Sequence, residues 1–199
     1  MSKIYNELVF SNIRESLITE LSESRYKHTI GVEYTAASLA MKYQYNIEKA
    51  RMAGLLHDCA KNISDDNLLQ LCIADNIEIK EIEKTCKYLL HSKYGAYLAK
   101  SKYGIDDEDI LNAIYYHTIG RPNMSILEKI VFVADYIEPG RDKAKNLDII
   151  RKVAFEDIDL AIYMILRDTI EYLNNTVSFI DSDTLKTYEF YKQGGNTHE

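Results

Sequence analysis

The stretch GLLHDCAK at residues 54–61 decides how the rest of the chain is interpreted. Small and apolar residues run directly into an imidazole and a carboxylate, and a lysine follows. Neighbouring residues of a helix diverge by about 100°, so His57 and Asp58 reach one point only where a helix ends against it. A buried carboxylate without a cation is costly, so Asp58 needs a positive charge nearby. The dipeptide alone leaves two interpretations: a capping Asp beside a hydrogen-bonded core His, or a metal site.

The composition is typical of one globular domain built from long helices. The 199 residues are 46% hydrophobic and 28% charged, and they include only two prolines and eight glycines. These values suit a single domain with a sizeable core and short connections. The net charge of −7 argues against a nucleic-acid or membrane-surface protein, because no broad basic stripe is available. It does not exclude a small anionic substrate, since bound cations dominate the field inside a pocket.

The cysteines and the N-terminus indicate the compartment. Cys59, Cys72 and Cys86 are widely spaced and form no C-x-x-C motif, which is typical of reduced, mostly buried thiols. The first residues lack the apolar region of a secretory signal, and no apolar run approaches membrane-spanning length. We therefore expect a cytoplasmic protein that binds neither a membrane nor nucleic acid.

Apolar periodicity predicts helices along the whole chain. Ser11 is a candidate cap for the first helix, and Ser125 with Glu128 forms a capping box ahead of an apolar run that Pro139 ends. Residues 130–134 could form a buried strand by composition, but the capping box favours a helix. The expected helices cover about 11–21, 25–44 and 46–58, a segment from 64 onward, and about 91–102, 106–117, 126–137, 146–154, 156–175 and 183–191.

Four of the five histidines and two aspartates lie on or at the ends of apolar helical stretches. Asp135 is the most informative, because it lies within the run VFVADYI at 131–137, where no neighbour in sequence neutralises it. Any single His here is explained better as a hydrogen-bonded core residue than as a metal ligand. The set as a whole supplies nitrogen and oxygen ligands for one or two divalent metals, while the absence of paired cysteines excludes a zinc finger. The candidate ligands are His28, His57, Asp58, His91, His117 and Asp135.

The order of these residues resembles that of the HD-domain metal-dependent phosphohydrolases. Four blocks carry the resemblance: RYKHTIGV at 25–32, LLHDCAK at 55–61, HTIG at 117–120 and ADYIEPGR at 134–141. Together they are similar to the YqeK-like branch, the symmetrical bis(5′-nucleosyl)-tetraphosphatases. Ile119 departs from the expected pattern, in which a second Thr follows Thr118. The helical periodicity predicts one all-α domain, and the polar composition from Gly194 onward predicts a disordered tail at 194–199. The resemblance implies that this domain is an HD-type helical bundle over residues 1–193, with a metal-site core at about 25–141 and C-terminal helices at about 146–191.

The resemblance also implies a mechanism. Two divalent ions, with iron expected and manganese, nickel or cobalt as alternatives, would activate a water as hydroxide and clamp the phosphoryl oxygens. The expected reaction is symmetrical hydrolysis of diadenosine tetraphosphate to two ADP. His28, His57, Asp58 and Asp135 would hold one ion, and His91 and His117 the other, with Asp58 bridging. The expected catalytic residues are His57, Asp58 and Lys61, and the expected polyphosphate-binding residues are Arg25, Lys61, Arg121 and Arg141.

Several alternatives stay open. The chain could be another HD-type phosphohydrolase, such as a nucleotidase or phosphodiesterase, or a metal- and nucleotide-binding sensor without turnover. Lys61 could be a solvated surface residue, and Arg141 could pair with Glu138 or Asp142. Gly31, one turn after His28, either admits a close contact or leaves room for a ligand. The apolar C-terminal helices could complete the core or form a homodimer surface.

Overall fold

The computed structural model describes residues 5–176 and 179–194, and this part of the chain contains helices and no strands. The predicted all-α fold is therefore confirmed, as is the helical state of residues 130–134. Of the predicted tail at 194–199, only Gly194 is among the described residues, and the domain boundaries stay predictions. The helices are α1 (Glu7–Glu20), α2 (Glu23–Lys42), α3 (Ile47–Leu56), α4 (Asp65–Ala74), α5 (Glu81–Thr85), α6 (Leu90–Ser101), α7 (Glu108–Tyr116), α8 (Ile126–Ile137), α9 (Leu147–Val153), α10 (Ile158–Thr176) and α11 (Ser182–Lys192), with a 3-10 turn at Lys87–Leu89 before α6.

Side-chain caps set the beginnings of several helices. The Asn6 side chain accepts a hydrogen bond from the Val9 amide at 3.1 Å, so α1 begins at Glu7 and the predicted cap at Ser11 is wrong. The predicted capping box is confirmed, because Ser125 donates its amide to Glu128 Oε2 at 3.1 Å and accepts from the Glu128 amide at 3.3 Å. α5 was not predicted, since five residues are too few to show a helical period.

The core packs the site-bearing helices directly on one another. α2 contacts α3 and α8, α3 and α8 both contact α7, and α6 packs on α7. At the crossing of α2 and α3, a Cβ on Gly54 would lie 3.1 Å from both the Cα of Glu33 and the carbonyl oxygen of Val32. Gly54 therefore permits the close approach that brings the end of α3 beside the middle of α2.

The C-terminal helices complete the core. α10 packs on α8 and α11, and its apolar face, with Ile158, Ile162 and Leu166, is buried. A homodimer surface on these helices stays a prediction. Within the described residues, no helix combines the length and hydrophobicity needed to cross a membrane. Two of the three free cysteines are buried, and Cys86 is partly exposed.

Candidate metal centre

Five helices bring the six candidate ligands to one cleft. His28 lies within α2, His57 is the C-terminal cap of α3 and Asp58 follows it. His91 lies in the first turn of α6, His117 caps the end of α7, and Asp135 lies near the end of α8. Helix ends thus direct most of these side chains into the cleft, which explains how adjacent His57 and Asp58 both reach it.

Each of the four histidines has its Nδ1 beside an oxygen that can only accept a hydrogen bond. His28 Nδ1 lies 3.0 Å from Glu138 Oε1. The other three use the backbone carbonyl oxygen three residues earlier: Gly54 for His57 at 2.7 Å, Tyr88 for His91 at 2.5 Å, and Ile114 for His117 at 2.7 Å. Because carbonyl and carboxylate oxygens accept, Nδ1 carries the proton and Nε2 is left to act as a ligand.

The carboxylate of Asp58 faces two pairs of histidines. Its Oδ2 lies 3.9 Å from His28 Nε2 and 3.4 Å from His57 Nε2. Its Oδ1 lies 3.2 Å from His91 Nε2 and 3.6 Å from His117 Nε2. Since each oxygen serves a different pair, the geometry suits a bridging carboxylate.

Asp135 joins the first pair of histidines. Its Oδ1 lies 3.0 Å from His28 Nε2 and 3.8 Å from His57 Nε2. Three overlapping groups offer ligand atoms within 4.8 Å of one another: His28, His57 and Asp58; His57, His117 and Asp135; and Asp58, His91 and His117. All six candidate ligands predicted from sequence therefore meet in space.

The donor set fits divalent metal ions. The Nε2 atoms of His28 and His57 are buried and make no hydrogen bond, although both face carboxylate oxygens. A lone pair on nitrogen facing an anionic oxygen is unfavourable unless a metal ion or a proton lies between them. Imidazole and carboxylate ligands without thiolate suit iron, manganese, nickel, cobalt or zinc.

Burial and neighbouring charges shift the pKa values of this cluster in opposite directions. Burial alone would raise the pKa of Asp58 and of Asp135, but the adjacent imidazoles hold both pKa values below the ordinary range. Burial alone would lower the pKa of His28, but Asp135 and Glu138 raise it overall. Both aspartates are therefore ionised at neutral pH and available as ligands.

The cleft at this cluster has a volume of about 170 Å³, and three cationic side chains line it together with four of the six candidate ligands, Asp58, His91, His117 and Asp135. Arg25 Nη1 donates to Asp58 Oδ2 at 2.7 Å, and Arg141 Nη2 donates to Asp135 Oδ1 at 2.8 Å. Lys61 Nζ lies 3.2 Å from His91 Nε2, and burial lowers its pKa. Arg141 thus pairs with neither of the two partners considered from sequence, and Lys61 is not a solvated surface residue.

Arg121 does not line this cleft. Its Nε and Nη2 donate to the two carboxylate oxygens of Glu128 at 2.9 and 2.7 Å, and its guanidinium lies 4.7 Å from the ring centroid of Tyr116. Glu128 is buried and belongs to the capping box of α8. Substrate binding by Arg121 stays a prediction, and the structure gives the side chain a role in holding α8.

Sequence reasoning missed two polar residues at the centre. Thr118 Oγ1 lies 3.2 Å from His91 Nε2 and 3.1 Å from His117 Nε2. Glu138 contacts His28 and was considered only as a partner of Arg141. The available signals were the position of Thr118 directly after one candidate ligand and that of Glu138 three residues after another.

Two cavities adjoin the cleft through different residues. An apolar cavity of about 210 Å³ shares His117, Thr118 and Asp135 with it and is lined by Phe132, Tyr136 and other apolar side chains. Ile119, the one departure from the family pattern, lines this cavity.

The second cavity is more open, with a volume of about 690 Å³, and it lies along α2 beside Gly31 and Tyr34. A small hollow shares His28 and Glu138 with this cavity, and Arg25 and Arg141 with the cleft. The candidate metal centre therefore shares lining residues with the apolar cavity directly, and with the open cavity by way of the hollow.

The fold and the clustered His and Asp residues define an HD domain, and residues 25–140 match that family. The chain belongs to the HD domain family. It is 44% identical over 168 residues to the symmetrical bis(5′-nucleosyl)-tetraphosphatase of Halalkalibacterium halodurans, covering 84% of this chain and 89% of that one. It is 37% identical to the Bacillus subtilis protein of the same name, covering 88% and 93% of the two chains.

A solved structure is similar throughout. It is a crystal structure described as a predicted HD superfamily hydrolase involved in NAD metabolism, from Clostridium acetobutylicum. The TM-score is 0.90 and the identity 42%, and the match covers 96% of this chain and 100% of that chain. The resemblance predicted from sequence, to HD-domain hydrolases and to their tetraphosphatase branch, is confirmed.

Proposed function

We propose that this chain hydrolyses dinucleoside tetraphosphates, with diadenosine tetraphosphate as the expected substrate, symmetrically into two nucleoside diphosphates. The observation that carries the proposal is the composition of the cleft, where six nitrogen and oxygen ligands meet three cationic side chains. The relatives that bear the tetraphosphatase name align with 84% and 88% of this chain, so the similarity extends well beyond the metal-site motifs.

We assign His28, His57, Asp58 and Asp135 to one divalent ion, and His91 and His117, with Asp58 as the bridge, to the second. When bound, such ions supply a water of lowered pKa and neutralise charge that develops on the phosphoryl oxygens. Iron is our first expectation. Manganese, nickel and cobalt accept the same ligands, so the metal available to the protein decides among them.

The protein's own cations would hold the tetraphosphate. Arg25 and Arg141 present planar guanidinium groups that bind phosphate oxygens in pairs, and Lys61 adds a single charge. In the structure each arginine is held by a carboxylate of the ligand set. These contacts keep both guanidinium groups at the cleft before substrate arrives, which reduces the entropy lost on binding.

Each of the two cavities would bind one of the two nucleosides of a symmetrical substrate. The apolar cavity is smaller than the roughly 300–1,000 Å³ of a complete small-molecule site, so it suits a single base, with Phe132 and Tyr136 as aromatic walls. The open cavity beside Tyr34 would take the second nucleoside. The metal centre would then face the middle of the phosphate chain, where cleavage gives two equal products.

Product analysis tests this function. The purified protein is loaded with ferrous iron under anaerobic conditions and incubated with diadenosine tetraphosphate, and the nucleotides are separated by chromatography. ADP as the sole product supports the proposal. AMP with ATP would mean that the substrate lies in another register, and tight binding without turnover would favour the sensor.

The variant Asp58→Ala tests the bridging role. Removing a carboxylate that serves both ions should reduce both metal content and activity together, whereas Asp148→Ala, at a side chain that is 96% exposed, should change neither. Metal per protein is measured by elemental analysis. Full metal content and activity in Asp58→Ala would refute the assignment.

A further inference from the structure

Glu138 is a buried carboxylate whose two oxygens have separate partners. The residue is only 3% exposed. Oε1 lies 3.0 Å from His28 Nδ1, and Oε2 accepts the Gly140 amide at 2.6 Å. From this geometry we infer that Glu138 is a positioning residue that orients His28 as a metal ligand and strengthens it, an inference that rests on the proposed metal-dependent function.

The position of His28 explains why it needs a side-chain acceptor. The carbonyl oxygens that fix His57 and His117 lie in the last turns of α3 and α7, where helix carbonyls have no intrahelical partner. His28 lies inside α2, where the carbonyl oxygens accept from amides of the same helix. A carboxylate from the end of α8 supplies the acceptor that the helix backbone lacks.

A carboxylate does more than a carbonyl in this position. The negative charge stabilises the proton on Nδ1, and this makes the Nε2 lone pair a stronger donor to a metal. Among the four histidines of the centre, only His28 has a carboxylate on its Nδ1. We therefore expect Glu138 to affect the ion held by His28, His57 and Asp135 more than the ion held by His91 and His117.

Gly31 makes room for this contact. A Cβ at Gly31 would overlap Glu138 Oε2 and would lie 3.1 Å from its Cδ. The carboxylate therefore packs against the backbone of α2 one turn after His28. This close approach explains Gly31 as a packing residue and holds Glu138 in reach of the imidazole.

The variant Glu138→Gln tests the proposal, because it keeps the volume and one acceptor oxygen but removes the charge. Metal-free protein is titrated with Mn²⁺ and followed by calorimetry and by the electron paramagnetic resonance of free Mn²⁺. We expect the affinity for one of two ions to fall about 10–100-fold, the range for lost outer-shell partners of metal ligands, and the other affinity to change little. Nucleotide is absent, so the measurement is independent of turnover.

Glu83→Gln is the matched control. Glu83 is 2% exposed and its Oε2 accepts from Lys93 at 2.7 Å, so the control also neutralises a buried carboxylate, but one outside the cleft. It should lower the melting temperature without changing Mn²⁺ affinity. Wild-type affinity for both ions in Glu138→Gln would overturn the proposal and leave Glu138 a role in holding the Gly140 loop.

A second variant keeps the test decisive should Glu138→Gln fold poorly. Gly31→Ala displaces the Glu138 carboxylate without removing it, and it should lower the affinity for the same ion as Glu138→Gln does. Unchanged Mn²⁺ affinity in Gly31→Ala, with its circular dichroism spectrum intact, would also count against Glu138. A wild-type protein that binds two ions but leaves diadenosine tetraphosphate intact would refute the proposed function alone, and one that binds no divalent ion would refute both.

Discussion

Replacing Gly31 with alanine tests how tightly α2 packs on the Glu138 carboxylate. The new methyl group would overlap Oε2, and it would lie 3.1 Å from Cδ and 3.5 Å from Cβ of Glu138. The end of a glutamate side chain normally moves away at little cost. Here it is held by the His28 imidazole and the Gly140 amide, so any movement lengthens a partly buried hydrogen bond.

Two effects of opposite sign determine how Gly31→Ala changes the free energy of unfolding. Alanine is more favourable than glycine inside a helix by about 0.8–1.0 kcal/mol. Overpacking at a filled site costs about 1–3 kcal/mol. Gly31→Ala should therefore lower the stability of the metal-free protein by about 0–2 kcal/mol. In a Glu138→Ala background, Oε2 and Cδ are gone and only Cβ remains at ordinary contact distance. The same substitution should then raise stability by up to about 1 kcal/mol.

The assay is urea denaturation of the four proteins in this double-mutant cycle. We expect Gly31→Ala to change sign between the two backgrounds, with a coupling of about 1–3 kcal/mol, in the range for residues in direct contact. Equal effects in both backgrounds would show that Gly31 and Glu138 are energetically independent. The packing argument would then be wrong, whatever the metal affinities.

Three other predictions concern separate parts of the molecule. Arg121→Ala should lower the free energy of unfolding by about 2 kcal/mol, between the values for exposed and buried ion pairs, because it leaves the buried Glu128 without its guanidinium partner. A raised KM with unchanged stability to urea would instead support substrate binding by Arg121. The pKa of Asp135 in the folded, metal-free protein is below its ordinary value. Ionised Asp135 therefore stabilises the fold at pH values above the unfolded pKa of about 3.9, and this contribution is lost as the pH falls below that value. The melting temperature should thus fall between about pH 5 and 3, and the fall should be smaller in Asp135→Asn. Burial raises the pKa of the Cys59 thiol to about 12 and that of the Cys72 thiol to about 11. Iodoacetamide at about pH 8 should therefore label only Cys86 until the protein unfolds, and mass spectrometry counts the labels.

Local signals in the sequence predicted most of the helices. The capping box of Ser125 and Glu128 located the beginning of α8 to the residue, because both of its partners lie within one helical turn. Ser11 failed as a cap because Asn6 offers the same chemistry one turn earlier, and periodicity alone does not choose between two polar residues. An error of this kind shifts the end of a helix but leaves unchanged the apolar face that packs on the core.

The candidate ligands could be selected from the sequence because of expected burial, whereas the helices were predicted from periodicity and capping residues. Asp58 and Asp135 each follow apolar residues that must be buried, and a buried carboxylate requires a cation, so both could be selected without a structure. Asp58 is buried as expected, whereas the Asp135 side chain is 23% exposed and is neutralised by Arg141, six residues later. The cations could not be assigned in the same way. Arg141 pairs with Asp135, because the chain turns back after α8 and brings the guanidinium to both the backbone and the side chain of that residue. Sequence distance alone favoured the nearer Glu138 or Asp142.

Glu138 shows most clearly what the sequence leaves undetermined. It lies three residues from Arg141 in the chain, yet its partner is His28, 110 residues away. A contact at that separation depends on how α2 and α8 pack, and on the single glycine that lets the carboxylate approach. The position of a charge beside the candidate ligand His28 is therefore a property of helix packing, and a substitution at Gly31 should shift that charge without changing any candidate ligand.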